Sequence, residues 1–236
     1  MRPVPLMLRA KNRFIVVAPD AFNYNKIVMS AKAILPALFV FLAGFIITAL
    51  EVIGARYLAK DFGGSFYVWI SQIGVILAAL ALGYAVGGAL ADRWRRAGFL
   101  AALLAAAGLV ICLIPNFAPP LLEAIVLRHP AGQDIPPLWL KLDPALGSAV
   151  VFFLPCFVLA IISPYTIRRA ARRLEEIGTT SGIVYAAGSL GSIAGVFVSG
   201  YFFIDYFSMT TIFRALGALA LLLAILGLAM DKLESP

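Results

Sequence analysis

Six long apolar runs dominate this chain, and they constrain its fold more than any other feature. About 30 Å of hydrocarbon is crossed by roughly 20 helical residues rising 1.5 Å each, so runs of that length read as membrane spans. Hydropathy places the spans near 34–53, 66–90, 99–114, 148–163, 181–204 and 211–228. The third and fourth are short, so their ends extend into flanking residues or sit in thin, protein-covered regions. With 62% hydrophobic residues, 13% charged and a mean hydropathy of +0.97, the chain cannot build an ordinary aqueous surface. Six spans within 236 residues leave only short connections. The predicted fold is therefore all-α: one polytopic bundle of six transmembrane helices.

Charge sets the expected orientation. Fourteen of the 19 Lys and Arg fall in the first segment, in the second and fourth connections and at the C-terminus. By the positive-inside rule both termini are expected in the cytoplasm, with the protein in a cell (inner) membrane. Residues 1–30 read as a basic N-terminal segment with a short apolar patch at 14–17, held near anionic lipid or docked on a partner. The six-helix domain occupies 31–230 and a short tail 231–236. The net charge of +7 lies in blocks at the ends of apolar runs with no interleaved aromatics, which excludes nucleic-acid binding as a leading reading. Cys112 and Cys156 sit inside apolar runs, where a thiol acts as a small hydrophobe.

The third connection, 115–147, reads as an external Pro-rich loop. It holds Pro115, Pro119, Pro120, Pro130, Pro136, Pro137 and Pro144, with Trp139 placed at headgroup depth and a short amphipathic helix around 121–127. A partner or ligand lid is the alternative use of such a segment. His129, the chain's single histidine, falls in this loop. That leaves no His-based triad and no multi-His metal site in the membrane interior.

Small residues recur every four positions on two spans: Ala79, Gly83, Gly87 and Ala91 on the second, and Ala187, Gly191, Gly195 and Ser199 on the fifth. That spacing forms a flat groove against which another backbone packs closely, in a fixed bundle or at a moving interface. Ionisable and amide groups at membrane depth are the candidate ligand positions, because each is costly unless paired or facing a polar cavity. Glu51, near the expected outer end of the first span, comes first, with Gln72 and Asp205 behind it; an interfacial salt bridge or helix packing is the structural alternative. Arg168, Arg169, Arg172 and Arg173 form a basic run that meets lipid phosphates or docks a soluble partner.

The sequence GGALADRWRR at 87–96 resembles the signature loop between the second and third helices of major facilitator transporters, although that family usually carries Gly where Trp94 stands. The resemblance implies that Asp92, Arg93 and Arg96 make charge contacts with neighbouring helix ends and govern a conformational change. A closer resemblance, over about 35–228, is to the membrane portion of fused major-facilitator/spermidine-synthase proteins. It is carried by LEVIGAR at 50–56, by SPY at 163–165 and by GIVYAAGSLGSIAG at 182–195, with Gly188 standing where that family commonly has Asn. It implies a bundle like one half of a major facilitator.

The fused proteins continue into a soluble aminopropyltransferase-like domain, and this chain stops at Pro236. The glycine-rich stretches lie inside spans, where they cannot cradle a nucleotide. The expectation is a protein that is no enzyme and holds no cofactor and no metal. It would be a noncatalytic membrane module anchoring or cooperating with a separate soluble synthase-like enzyme or membrane-complex subunit. The alternatives are a small-solute transporter, for polyamines or related cations, built as a homodimer of half-transporter units, and a structural subunit of a larger membrane assembly. The expected partners are membrane lipids and either another subunit or a second copy of the chain.

Overall fold

The computed structural model describes residues 6–10, 13–17, 31–93, 97–129, 132, 134–170 and 177–234. The chain divides into two compact units, Met1–Leu35 and Pro36–Pro236. In the first, strands β1 (Leu6–Ala10) and β2 (Arg13–Val17) pair antiparallel, with Leu6 opposite Val17 and Ala10 opposite Arg13. The apolar patch at 14–17, read above as part of a tail, is thus one strand of a hairpin. Its β-branched Ile15, Val16 and Val17 suit that role.

The second unit is the membrane bundle. Helices α1 (Ala31–Phe62), α2 (Phe66–Arg93) and α3 (Ala97–Leu127) are followed by α4 (Pro137–Ser148), which runs through a π-helical turn (Ala149–Phe153) into α5 (Leu154–Ala170). Next comes α6 (Ile177–Val198), which passes through a second π-helical turn (Ser199–Phe203) into the short α7 (Ile204–Tyr206), and α8 (Met209–Glu234) closes the order. Among the described residues, six segments are long and apolar enough to cross a membrane: Pro36–Phe62, Phe66–Arg93, Gly98–Leu127, Pro137–Arg168, Gly178–Tyr206 and Met209–Leu228. The second unit is therefore an all-α, multi-pass membrane bundle.

The reading of 115–147 as a loop needs correction. Helix α3 continues through Pro115, Pro119 and Pro120 to Leu127, and α4 begins at Pro137, so only 128–136 separate the two helices. The cause is packing: Ile111, Ile114, Ala118 and Leu122 are fully buried and extend one helical face past the prolines. Proline inside a membrane helix is tolerated where neighbouring helices satisfy the freed backbone groups. Pro137 occupies the first turn of its helix, where a missing N–H costs nothing.

Turns are equally local in origin. Gly63, at φ +81, supplies the left-handed residue that ends α1, and the chain enters α2 three residues later. Ser208 caps α8, its Oγ accepting the Thr211 N–H at 3.2 Å.

Three helix pairs meet at glycine. A Cβ added to Gly83 would stand 2.5 Å from the Phe157 carbonyl oxygen, and one at Gly87 would strike Ile161 and Pro164, so α2 lies directly on α5. Gly191 and Gly195 admit the backbone of α1 at Phe41 and Phe45, and Gly44 in turn admits that of α6 at Gly188. Gly108 and Gly217 bring α3 and α8 together, each Cβ position lying within 3 Å of the other's carbonyl oxygen. The register runs parallel for the first two pairs and antiparallel for the third, as alternating spans require. More than half of the first and fourth spans is buried (56% and 61%), against 22% of the second and 17% of the fifth. The first and fourth spans are the centre of the bundle, and α2 and α6 flank an open side.

Where nothing drives apolar helices together except close packing, an added methyl at such a crossing is expensive. Gly191→Ala is expected to lower the stability of the detergent-solubilised protein by about 1–3 kcal/mol. Gly74→Ala, at a position with nothing within 4 Å, should change it little. Thermal unfolding of the two variants side by side checks this.

Candidate functional site

The open side holds a groove of about 390 Å³. Its back wall is one face of α1, with Val40, Gly44 and Ile47 one turn apart and Ala43 and Thr48 beside them; Leu80 and Tyr84 of α2 form one side. Tyr185, Ser189, Ser192 and Ile193 of α6 form the other, and Ser163 of α5 adds a hydroxyl. The mouth is framed by Tyr84 and Tyr185, 45% and 62% exposed. Gly188 also lines the groove, so the absence of a side chain where the resembling family commonly has Asn leaves space there.

Local chemistry shapes the back wall. Thr48 Oγ1 lies 2.9 Å from the Gly44 carbonyl of its own helix and 2.9 Å from the Ser192 carbonyl of α6. Its single proton is shared between the turn below and the neighbouring helix, which ties α1 to α6 at the groove.

Glu51 lies one turn beyond this wall, whose lining on α1 ends at Thr48. Eleven residues from Val40 and seven from Gly44, it returns to the same helical face, about 6 Å along the axis from Ile47. The sequence places Glu51 near the outer end of the first span. Because α1 extends to Phe62, Glu51 instead stands two residues from the midpoint of the span Pro36–Phe62. It is half-buried and has no hydrogen bond or ion pair among the described residues, while lying close enough to the buried Cys156 of α5 to interact with it electrostatically.

Gln72 and Asp205 do not join it. Gln72 is fully buried, its Nε2 donating to the Leu50 carbonyl at 3.2 Å while its Oε1 accepts from Ser148 Oγ at 2.6 Å. It fastens α2 to α1 and α4, and is sealed away from any solute. Asp205 is exposed in α7, at the far end of the fifth span. The structure thus separates the three sequence candidates: none of them lines the groove, and Glu51 alone shares the face of α1 that backs it.

The bundle's two ends carry polar clusters. Arg168 Nε donates to Asp92 Oδ1 at 2.8 Å, joining the end of α2 to the end of α5; both side chains are well exposed, so the pair contributes at most about 1 kcal/mol. Arg93 is exposed beside it. Arg96, Arg172, Arg173 and the side chain of Arg169 lie outside the described residues. At the opposite end Asp143, almost fully buried, accepts from Arg128 Nη2, while His129 Nε2 lies 2.7 Å from its other oxygen. The Arg128 guanidinium also rests 4.1 Å from the centre of the Trp139 ring. The cluster ties the end of α3 to the start of the fourth span. Among the described residues no group of three or more His, Cys, Asp or Glu is arranged to hold a metal ion.

Sequence reasoning singled out none of Thr48, Ser163, Ser189 and Ser192. The available signal was the 185, 188/189, 192 spacing of hydroxyl and small residues on α6, which places them on one face.

Comparison with protein-family models, with curated proteins and with solved structures finds no match for this chain. Its function is therefore argued from the geometry of the bundle.

The Gln72–Ser148 bond lies in a region without water to substitute for it. Gln72→Leu and Ser148→Ala should each destabilise the protein, and a double-mutant cycle is expected to give a coupling of about 0.5–1.7 kcal/mol. Unfolding in mixed micelles of graded detergent composition measures it.

Proposed function

We propose that this chain is a noncatalytic half-transporter: a multi-pass membrane module that binds a small solute in the groove and completes a path across the bilayer by pairing with a second copy of itself. The observation that carries this reading is the alignment of Glu51, at mid-span, with the face of α1 that backs the groove. An ionisable side chain at that depth marks a substrate or ion pathway more often than a packing position. Substrate sites of secondary transporters lie near the midplane, at the interface between two related bundles. Supporting it, α2 and α6, which frame the groove, are the most exposed spans and carry large apolar side chains such as Leu77, Tyr185 and Ile193 on that surface. The arrangement agrees with the resemblance to one half of a major facilitator, in which Asp92 and its basic neighbours would time the motion of the helix ends. The distribution of Lys and Arg supports placing both termini in the cytoplasm and the protein in an inner membrane.

A second reading, favoured by the charged end of the bundle, keeps the module but changes its task. There the Arg168 to Arg173 run docks a separately encoded synthase-like enzyme or membrane-complex subunit, and the groove is incidental.

The two readings separate in one preparation. Protein extracted from its native membrane in mild detergent is expected to run as a homodimer. Once reconstituted into liposomes, it should take up a solute in a manner that Glu51→Gln reduces at least tenfold. A stoichiometric soluble partner together with no Glu51-dependent uptake, across a panel of cations, anions and neutral solutes, would replace the first reading with the second.

A further inference from the structure

From a single mid-span carboxylate standing one helical turn beyond an otherwise uncharged groove, we infer that the ligand is a singly charged organic ammonium ion, with the cationic head on Glu51 and the remainder among the hydroxyls of Thr48, Ser163, Ser189 and Ser192. This rests on the reading of the groove as a solute site, and it narrows that reading to a chemical class.

The first step is a count of charges. Among the described residues, Glu51 is the single charged side chain in the middle third of any span, and no Lys or Arg pairs with it. A carboxylate at that depth is stabilised by a cation that arrives from outside the bundle. The second step is the composition of the walls. The groove itself is lined by aliphatic side chains, hydroxyls and two tyrosine rings and holds no charged group, so the carboxylate of Glu51, one helical turn beyond Ile47 on the same face, is the one charge within reach of its occupant. One cationic head is therefore neutralised, and each further ammonium on the same molecule would be left unpaired in a poorly hydrated site. A polyamine, the class suggested by likeness to spermidine-synthase-linked proteins, carries several such charges and is the wrong ligand for one such groove.

The third step is size and access. A volume of about 390 Å³ falls at the small end of ligand pockets, fitting an amine with a compact body. The half-exposed rings of Tyr84 and Tyr185 at the mouth present faces that attract a cation on its way in. Because the mouth opens between α2 and α6, the same ammonium chemistry is offered by a dissolved amine or by the headgroup of an amine-bearing lipid.

The test uses full-length protein in nanodiscs of phosphatidylglycerol, which carries no amine, with choline, tyramine, putrescine, spermidine and the neutral polyol inositol as probes. Binding is read by calorimetry. Choline or tyramine is expected to bind at least tenfold more tightly than spermidine, and Glu51→Gln to weaken that binding at least tenfold with an unchanged melting midpoint. If added phosphatidylethanolamine competes with tyramine in wild type, the ammonium source is the lipid and the assignment of class stands. Tighter binding of spermidine than of either monoamine, amine binding unaltered by Glu51→Gln, or binding of none of the amines would overturn it. Ser192→Phe, which fills the groove, separates the two levels. Inositol binding that Ser192→Phe abolishes and Glu51→Gln spares sinks the ammonium inference while keeping the solute site; probe binding that Ser192→Phe leaves intact sinks the site itself.

Discussion

The bundle depends on backbones touching where glycine permits it. Lipid tails are as apolar as the side chains of a span, so helices gain little by hiding hydrophobic surface from one another and must gain instead from contact. Gly83 and Gly87 on α5, Gly191 and Gly195 on α1, and Gly108 facing Gly217 set three close crossings. These crossings fix α1 and the α4–α5 span at the centre. What remains uncovered is the side between α2 and α6, so the same contacts that build the bundle leave its groove open.

The second constraint is the treatment of polar groups without water. Most are settled inside the bundle: Gln72 between Leu50 and Ser148, Thr48 between Gly44 and Ser192, Asp143 between Arg128 and His129. Two are not. Ser199 Oγ is fully buried without a partner among the described residues, at the start of a π-helical turn, where the backbone pattern is already irregular. Glu51 is the other, and unlike Ser199 it carries a charge and continues the face of a cavity. That contrast is why function is assigned to Glu51 and none to Ser199.

Much of the architecture was legible in the residues because a bilayer imposes a length. Each of the six apolar runs became a span, and the four-residue spacing of Gly83 with Gly87 and of Gly191 with Gly195 located two helix contacts. Legibility failed where a local rule competed with packing. Prolines at 115, 119 and 120 read as a loop, yet the buried stripe Ile111, Ile114, Ala118 and Leu122 carries α3 through them. Hydropathy ends the first span near residue 53, before the charges at Arg56 and Lys60, yet α1 runs on to Phe62. That difference moves Glu51 from the end of the first span to near its middle. The hairpin at 6–17 was missed because no Gly-containing turn marks it; Lys11 and Asn12 join the two strands. The groove hydroxyls were hidden because Ser and Thr at three- and four-residue spacing serve helix packing equally well.

The central claim is that the face of α1 ending at Glu51 is open to solute at mid-membrane while its opposite face is sealed. Cysteine accessibility tests this most directly. In a chain with Cys112 and Cys156 replaced by serine and alanine, single cysteines at Glu51 and at the fully buried neighbour Leu50 would be exposed in intact membranes to a small, water-soluble cationic thiol reagent. The account predicts rapid labelling of Glu51→Cys, slowed by Ser192→Phe, and almost none of Leu50→Cys. Equal inertness of the two positions would mean that the groove does not reach Glu51, and the functional assignment would fall with it.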